Sequence, residues 1–361
     1  MKNFVPLKAP HTARPRRLAA SAMAVAAVLA AGVVAGQGSA AADVEAANAS
    51  HPRGQGTIMR PKLKRGELRV TGTNASEKIA LRLRAGEPGI LEIDVDDDGS
   101  AEFAFERSEI ARIAVSARPG DDLVRIDEAN GVFTDQIETT LAGGRGNDTL
   151  AGGRGVETLL GGIGDDSIDG NGGNDASLMG PGDDTFVWDP GDGSDVVEGQ
   201  AGTDTMLFNG ANVAEQVDVS ANGDRLTFFR NPGTVTMDTA GVERVDFNAL
   251  GGADLVTVND LTATDVNELV VDLAAALGGG TGDGQADRVV VNATDGNDVI
   301  DVSGDAAEVK VDGLAPTIRI LHSEAASDRL EIDTRAGTDT VDSAGLAAGA
   351  IQLFVDGVLV P

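Results

Sequence analysis

The chain of 361 residues contains no cysteine and no tyrosine, and it has only one tryptophan and three histidines. Without cysteine, the protein has no disulfide, no thiolate zinc site, no thiol nucleophile and no lipoprotein anchor. The histidines are far apart in sequence, at His11, His51 and His322. The motifs H-E-x-x-H, G-x-S-x-G and G-x-x-x-x-G-K-[ST] are also absent, so the sequence does not identify an enzyme.

Basic residues are scarce relative to acids, with 28 lysines and arginines against 58 aspartates and glutamates and a net charge of −30. Such a charge repels nucleic acid and anionic membranes, and it favours divalent cations as partners. Aromatic residues make up 3% of the chain, so the core must be built from valine, leucine, isoleucine and alanine. A thin aliphatic core of this kind makes stability depend on stacking and on bound ions.

The N-terminus has the pattern of an export signal. A basic stretch ends at Arg17, an apolar run follows over residues 18–35, and small residues at Ala40 and Ala42 suit cleavage before Asp43. We therefore predict a signal peptide over residues 1–42, secretion by the general secretory route, and no stable membrane insertion after cleavage. An uncleaved membrane anchor is the alternative. The polar, basic residues 43–65 are predicted to form a disordered lead-in.

Five nine-residue units follow one another without a gap from residue 143 to residue 187. Their sixth position is always acidic: Asp148, Glu157, Asp166, Asp175 and Asp184. Their eighth position is apolar in four of the five: Leu150, Leu159, Ile168, Ser177 and Phe186. In the fourth unit, Leu178 or Met179 can replace Ser177 in the core. A flexible glycine-rich linker has no reason to repeat an acid and an apolar residue in this fixed register.

The pattern G-G-x-G-x-D-x-U-x, where U is apolar, resembles the RTX, or hemolysin-type, calcium-binding repeat family. The resemblance implies a parallel β-roll in which two units complete one turn and residues 18 apart stack. Glycines turn backbone carbonyls toward one point, and calcium takes six to eight such hard oxygen ligands together with carboxylates. The residues that the resemblance assigns to Ca²⁺ are Gly143, Gly144, Gly146, Asp148, Gly152, Gly153, Gly155, Glu157, Gly161, Gly162, Gly164, Asp166, Gly170, Gly172, Asp175, Gly180, Gly182 and Asp184.

One side of the roll should be better formed than the other. Asp148, Asp166 and Asp184 should stack on one side, and Glu157 and Asp175 on the other. The first and third units match the template fully, whereas the second carries the longer Glu157 and the fourth departs from the glycine pattern. Stacked carboxylates repel one another, and a divalent cation between them would turn that repulsion into ligation.

Looser repeats flank the roll. Apolar pairs recur 11 residues apart, as in Leu68/Val70 followed by Ile79/Leu81, with glycine and aspartate turns between them. We predict an all-β protein in which the roll, residues 141–208, lies between degenerate β-repeat regions, residues 66–140 and 209–361, as an elongated β-solenoid or β-stack. Four acids lie in flanking turns that lack the full glycine pattern: Asp122, Asp254, Asp298 and Asp339. They should cap their own turns rather than bind an ion.

Two alternatives stay open. The stretch from Asp94 to Gly99 matches the first half of an EF-hand loop, but Phe105 stands where the bidentate glutamate belongs, which favours a β-hairpin turn over a weak calcium site. The predicted function is a secreted calcium-binding repeat protein with a structural or interaction role, not an enzyme, whose protein or glycan partner is unspecified. A secreted carbohydrate-active enzyme with an unrecognised carboxylate pair is the alternative, and exposed rows of aromatic residues would favour it.

Overall fold

A computed structural model describes residues 58–361, and the predicted signal peptide over residues 1–42 lies outside this range. The fold is nearly all β, with 53% strand and 2% helix. The strands form two large, mostly parallel sheets of 15 and 14 strands. The prediction of an all-β solenoid or roll is confirmed.

The strands in chain order are β1 Met59–Lys64, β2 Glu67–Thr71, β3 Lys78–Arg84, β4 Glu87–Val95, β5 Phe103–Glu106, β6 Arg112–Pro119, β7 Leu123–Asp127, β8 Glu138–Arg145, β9 Thr149–Ala151, β10 Glu157–Ile163, β11 Ser167–Asp169, β12 Ala176–Pro181, β13 Thr185–Trp188, β14 Val196–Ala201, β15 Thr205–Asn209, β16 Gln216–Asn222, β17 Arg225–Arg230, β18 Val235–Ala240, β19 Arg244–Asn248, β20 Leu255–Val258, β21 Glu268–Asp272, β22 Arg288–Asn292, β23 Val299–Gly304, β24 Glu308–Asp312, β25 Thr317–Leu321, β26 Arg329–Asp333, β27 Thr340–Leu346, β28 Gln352–Val355 and β29 Val358–Leu359. Two short 3₁₀ helices span Arg107–Glu109 and Pro232–Thr234.

In the centre of the chain, each coil contributes one strand to each sheet. The 15-stranded sheet carries β8, β10, β12 and β14 side by side, and the 14-stranded sheet carries β9, β11, β13 and β15. Thr158 of β10 pairs with Thr140 on one side and with Ala176 on the other, in parallel register. These partners are 18 residues from Thr158 in each direction, so two nine-residue units complete one coil as predicted.

The flanking repeats continue the same two sheets. Leu68 and Val70 lie in β2 of the larger sheet, and Ile79 and Leu81 lie in β3 of the smaller one. The 11-residue spacing therefore carries the chain from one sheet to the other. Antiparallel strands are inserted into the regular coiling at three places: β4–β5 and β23–β25 in the smaller sheet, and β16–β18 in the larger one.

The stretch from Asp94 to Gly99 lies at a hairpin, since β4 and β5 pair antiparallel across it. The Asp94 carboxylate accepts hydrogen bonds from Arg82, at 2.5 Å, and from the backbone N–H of Gly99, at 2.8 Å. Asp94 is therefore held by protein donors, and the predicted hairpin turn is confirmed.

The core runs as a narrow stripe between the sheets. The eighth-position residues Leu150, Leu159, Ile168 and Phe186 are all fully buried. Ser177 is buried as well, but its side chain is short. Met179, two positions further along, is fully buried and contributes the apolar side chain of this unit to the core. At the C-terminal end of the roll the core becomes aromatic, with the rings of Trp188 and Phe208 stacked 3.9 Å apart, followed by Phe228 and Phe247.

The predicted lead-in over residues 43–65 is wrong for residues 59–64, which form β1 and pair antiparallel with β2. Basic, polar composition indicated disorder, but Ile58 is buried and Leu63 packs against the core. The strand covers the edge of the larger sheet, and a proline and exposed lysines are common on such edge strands because they block further pairing. The composition of this segment therefore reflects its place at the edge of a sheet.

Replacing Leu159 by alanine should destabilise the protein by about 2–5 kcal/mol, because the side chain is fully buried and its removal leaves a cavity in a narrow core. Ile163 is 48% exposed and provides the control, since its replacement by alanine should cost less than about 0.5 kcal/mol. Guanidinium unfolding at a fixed calcium concentration measures both. Similar losses in the two variants would place the core elsewhere.

Candidate functional site

A row of buried aspartates follows one edge of the roll, each directly before a strand of the smaller sheet. This first acid row consists of Asp122, Asp148, Asp166, Asp184 and Asp204. Oδ1 of each later acid accepts a hydrogen bond from the backbone N–H of the acid one coil earlier, at N–O distances of 2.8, 2.8, 2.7 and 2.9 Å. The predicted stacking of Asp148, Asp166 and Asp184 is confirmed, and the row extends one coil beyond them in each direction.

A second acid row follows the opposite edge, with Glu157, Asp175 and Asp195 before strands of the larger sheet. The N–H of Glu157 donates to Oδ1 of Asp175 at 2.7 Å, and the N–H of Asp175 donates to Oδ1 of Asp195 at 2.8 Å. The predicted stack of Glu157 and Asp175 is therefore present. Asp195 and Asp204, absent from the predicted ligands, continue the two rows, and their nine-residue spacing in sequence pointed to this.

Each acid of the two rows has a second carboxylate oxygen that is buried and has no hydrogen-bond partner within residues 58–361. These atoms are Oδ2 of Asp122, Asp148, Asp166, Asp175, Asp184, Asp195 and Asp204, and Oε1 of Glu157. A buried carboxylate without a partner is costly, and it is tolerated only when a proton or a cation compensates it. The roll therefore presents two lines of buried oxygens that require one or the other.

Burial raises the pKa of these carboxyls, and the neighbouring acids of the row add to the effect. The pKa rises to about 7 for Asp148 and to about 6 for Asp166. For Asp175 the pKa rises to about 9. Loss of water around the charged form is the main cause in all three cases. In the metal-free protein, protons therefore occupy part of the rows at neutral pH.

The glycines of the repeat make room for the carboxylates and for stacked carbonyls. A Cβ atom added to Gly143 would lie 2.2 Å from Oδ2 of Asp148, and one added to Gly161 would lie 2.5 Å from Oδ2 of Asp166. At the second position, a Cβ on Gly162 would lie 2.1 Å from the carbonyl oxygen of Gly144 in the coil before. Glycine is thus required where backbone oxygens of successive coils approach one another.

The remaining candidate glycines are crowded in the same way, with one exception. A Cβ on Gly172 would find its nearest atom at 3.6 Å, whereas one on Gly173 would lie 1.6 Å from the carbonyl oxygen of Gly155. Gly173, rather than Gly172, therefore occupies the fourth position of its unit, and the assignment of Gly172 to the site stays a prediction. Gly153 has a direct role, because its N–H donates to Oε2 of Glu157 at 2.9 Å.

The first acid row is accompanied by an outer row that the sequence analysis missed. Oδ1 of Asp121 accepts the N–H of Asn147 at 2.9 Å, Oδ1 of Asn147 accepts that of Asp165 at 3.0 Å, and Oδ1 of Asp165 accepts that of Asp183 at 2.9 Å. These residues occupy the fifth position of the repeat. The recurrence of asparagine or aspartate there was the available signal.

Own-turn capping was predicted for four flanking acids, and it holds for Asp298 alone, which accepts the N–H of Thr294 at 3.1 Å. Asp122, Asp254 and Asp339 instead accept the N–H of an acid in an adjacent coil, namely Glu77, Glu215 and Asp298, at 2.7, 2.7 and 2.9 Å. The prediction is wrong for these three. Their turns stack on the coil before, which brings its N–H within reach of the carboxylate.

Glu215, at the start of β16, meets a cation supplied by the protein. Nε of Arg230 lies 2.7 Å from Oε1 of Glu215, Nη2 also donates to that oxygen, and both side chains are almost fully buried. The guanidinium also lies over the ring of Trp188, 5.2 Å from its centroid. At this coil an arginine compensates the buried acid.

Within the described residues, no three acidic or histidine side chains converge closely enough to hold a metal ion by themselves. An ion at either acid row would therefore take one or two carboxylates and complete its coordination with backbone carbonyls, as calcium commonly does. Between residues 58 and 361, no helix combines the length and the apolar character needed to cross a bilayer. Among known proteins, no family model, no curated protein and no solved structure matches the chain.

The calcium-stripped protein should be more stable at pH 5 than at pH 8. Since burial raises the pKa of Asp148 and Asp195 to about 7 and that of Asp175 to about 9, the folded chain binds protons more tightly than the unfolded one. This contribution is complete in acid and is lost as the pH rises through the folded-state pKa values. Thermal melts across this range test it. The slope should be smaller in Asp175→Asn, and a melting temperature that rises steadily toward pH 8 would contradict the expectation.

Proposed function

We propose that the protein is a secreted calcium-binding roll, similar to RTX repeat proteins, in which Ca²⁺ bound between successive turns stabilises the folded chain. The observation that carries the proposal is the pair of acid rows, in which each carboxylate has one oxygen held by a backbone N–H and one buried oxygen without a protein partner. Once the carboxyl has lost its proton, a cation is the partner that such an oxygen requires.

The chemistry of the donors suits calcium. Asp148, Asp166 and Asp184 on one edge, and Glu157 and Asp175 on the other, would supply carboxylate oxygens, with the glycine turns supplying carbonyl oxygens. All of these are hard oxygen donors, which calcium accepts in flexible numbers and geometries. Magnesium requires a smaller, near-octahedral arrangement and gives up its water reluctantly, so it should replace calcium poorly.

Calcium in this proposal has a structural role. The chain has a net charge of −30, which disfavours a compact state, and bound divalent ions offset part of it. In a protein without disulfides, ions between coils restrain long turns that a narrow core alone holds weakly. The signal-like residues 1–42 support the proposal of secretion, and a calcium-rich exterior would supply the ion. The macromolecular partner, protein or glycan, stays unspecified.

The alternative of a carbohydrate-active enzyme has less support. Sugars stack on exposed aromatic rings, but Trp188, Phe208, Phe228 and Phe247 are buried in the core. The close carboxylates of the acid rows are likewise enclosed between coils rather than set in an open groove. A binding role with structural ions therefore accounts for more of the geometry.

Adding calcium to the stripped protein at pH 8 should raise its melting temperature and strengthen its β-type circular dichroism. Each independent site adds about 2.7 kcal/mol when free calcium is 100 times its dissociation constant. Magnesium at the same concentration serves as the control and should have little effect. An identical melt in excess chelator and in millimolar calcium would rule out the proposal.

Asp166 should matter more to calcium binding than Glu157. Asp166 lies between Asp148 and Asp184 in the first acid row, so it can serve the ions on both sides. Glu157 begins the second row, and its Oε2 already accepts the N–H of Gly153. Asp166→Asn keeps the acceptor for the Asp148 N–H while removing the charge. It should weaken calcium binding by at least about tenfold more than the matched Glu157→Gln, measured by calorimetric titration; the reverse order would show that the choice of the better row is wrong.

A further inference from the structure

The turn at residues 117–122 does not match the nine-residue repeat, because Ala117, Arg118 and Pro119 stand where Gly143, Gly144 and Arg145 stand one coil later. Even so, it has the local geometry of a repeat turn. We propose that this turn and the turn at residues 143–148 together hold one further calcium ion, with Asp122 as a carboxylate ligand. The inference rests on the proposed calcium-binding function and extends the ion array beyond the recognisable repeats.

The backbone of the turn follows that of the repeats. Arg118 has φ of +86°, in the left-handed region that the repeat fills with Gly144 at +128°, and Gly120 at +147° matches Gly146 at +117°. The N–H of Gly120 donates to the carbonyl of Arg145 at 2.7 Å, and in the next coil the N–H of Gly146 donates to that of Ile163 at 2.8 Å. The two turns are therefore bonded to their neighbours in the same way.

The carbonyl oxygens occupy equivalent places. A Cβ on Gly144 would lie 2.2 Å from the carbonyl oxygen of Arg118, and a Cβ on Gly162 would lie 2.1 Å from that of Gly144. At the fourth position, a Cβ on Gly146 would lie 2.0 Å from the carbonyl oxygen of Gly120, and a Cβ on Gly164 would lie 2.2 Å from that of Gly146. Residues 118 and 120 thus direct backbone oxygens toward the next coil as the repeat glycines do.

Asp122 provides an independent sign of a missing ligand. Its side chain is 3% exposed, Oδ1 accepts the N–H of Glu77 at 2.7 Å, and Oδ2 is buried without a hydrogen-bond partner in the described part of the chain. Its own N–H donates to Oδ1 of Asp148 at 2.8 Å, which joins it to the first predicted ligand of the array. A positive φ at an arginine is unfavourable, and such a conformation persists only where the surrounding structure holds it.

The array should end one coil before this turn. Glu77 occupies the equivalent acid position there, but the protein satisfies both of its oxygens: Oε1 accepts the Thr73 hydroxyl, and Oε2 accepts the Thr73 N–H at 3.2 Å. Glu77 is buried like Asp122, so the two acids differ in their partners rather than in exposure. Glu77 is therefore the matched control for Asp122.

The experiment uses the exported protein and counts the calcium ions that it binds, by equilibrium dialysis and native mass spectrometry. Asp122→Asn keeps the acceptor for the Glu77 N–H and should bind one ion fewer than the wild type, whereas Glu77→Gln should bind the same number. An unchanged count in Asp122→Asn, with its circular dichroism intact, overturns the inference. A wild type that binds no calcium would instead defeat the proposed function itself.

A second measurement keeps the test independent of the variant's folding. Crystals of the wild type grown in calcium should show anomalous difference density beside Oδ2 of Asp122, in addition to density at Asp148 and Asp166. Density at Asp148 and Asp166 with none at Asp122 would overturn the inference while leaving the central array in place.

Discussion

The hydrogen bond from the backbone N–H of one acid to the side chain of the acid in the next coil is the interaction on which the structure depends. It fixes the register between coils at the turns, where glycine-rich backbone has few other constraints. It also pulls the carboxylate into the interior, and the second oxygen is buried as a result. The core residues Leu150, Ile168 and Phe186 are then held in line, because each follows its acid by two positions. Stacking, burial and the need for a compensating proton or cation thus have a common origin.

Three different solutions to this buried charge are visible along the chain. A proton can neutralise it, which the raised pKa of Asp175 reflects. Protein donors can satisfy both oxygens, as Thr73 does for Glu77. A protein cation can offset the charge instead, as Arg230 does at Oε1 of Glu215, whose Oε2 stays without a hydrogen-bond partner in the described residues. In the central rows neither a hydroxyl nor an arginine lies at the second oxygen within residues 58–361, and a bound ion is the solution that we propose there. The coils are therefore alike in backbone and differ in how the charge is balanced.

Much of this architecture follows from the sequence, because the repeat joins two signals that each have a direct physical meaning. The acid at position six and the apolar residue at position eight predict stacking and core, as in Asp166 and Ile168. The turns of the flanking regions are harder to predict from the sequence. Arg118 adopts a conformation that its residue type disfavours, and only the contacts with the next coil reveal the turn as equivalent to Gly144. The role of Asp122 depends on Glu77, 45 residues away, and local sequence patterns do not report such a partner.

The hydrogen bonds of the first acid row, here called the inner row, and those of the outer row point in opposite directions along the chain. In the inner row an earlier coil donates to the side chain of a later one, as Asp148 does to Asp166, whereas in the outer row a later coil donates to an earlier one, as Asp165 does to Asn147. Along the first acid row each junction therefore has hydrogen bonds in both directions, and successive coils meet through the same backbone pattern. Tandem duplication of one 18-residue coil within residues 143–187 would create a junction with the same backbone register as those already present. The roll has in effect a unit of growth, and its length is open to change by whole coils in evolution or by design.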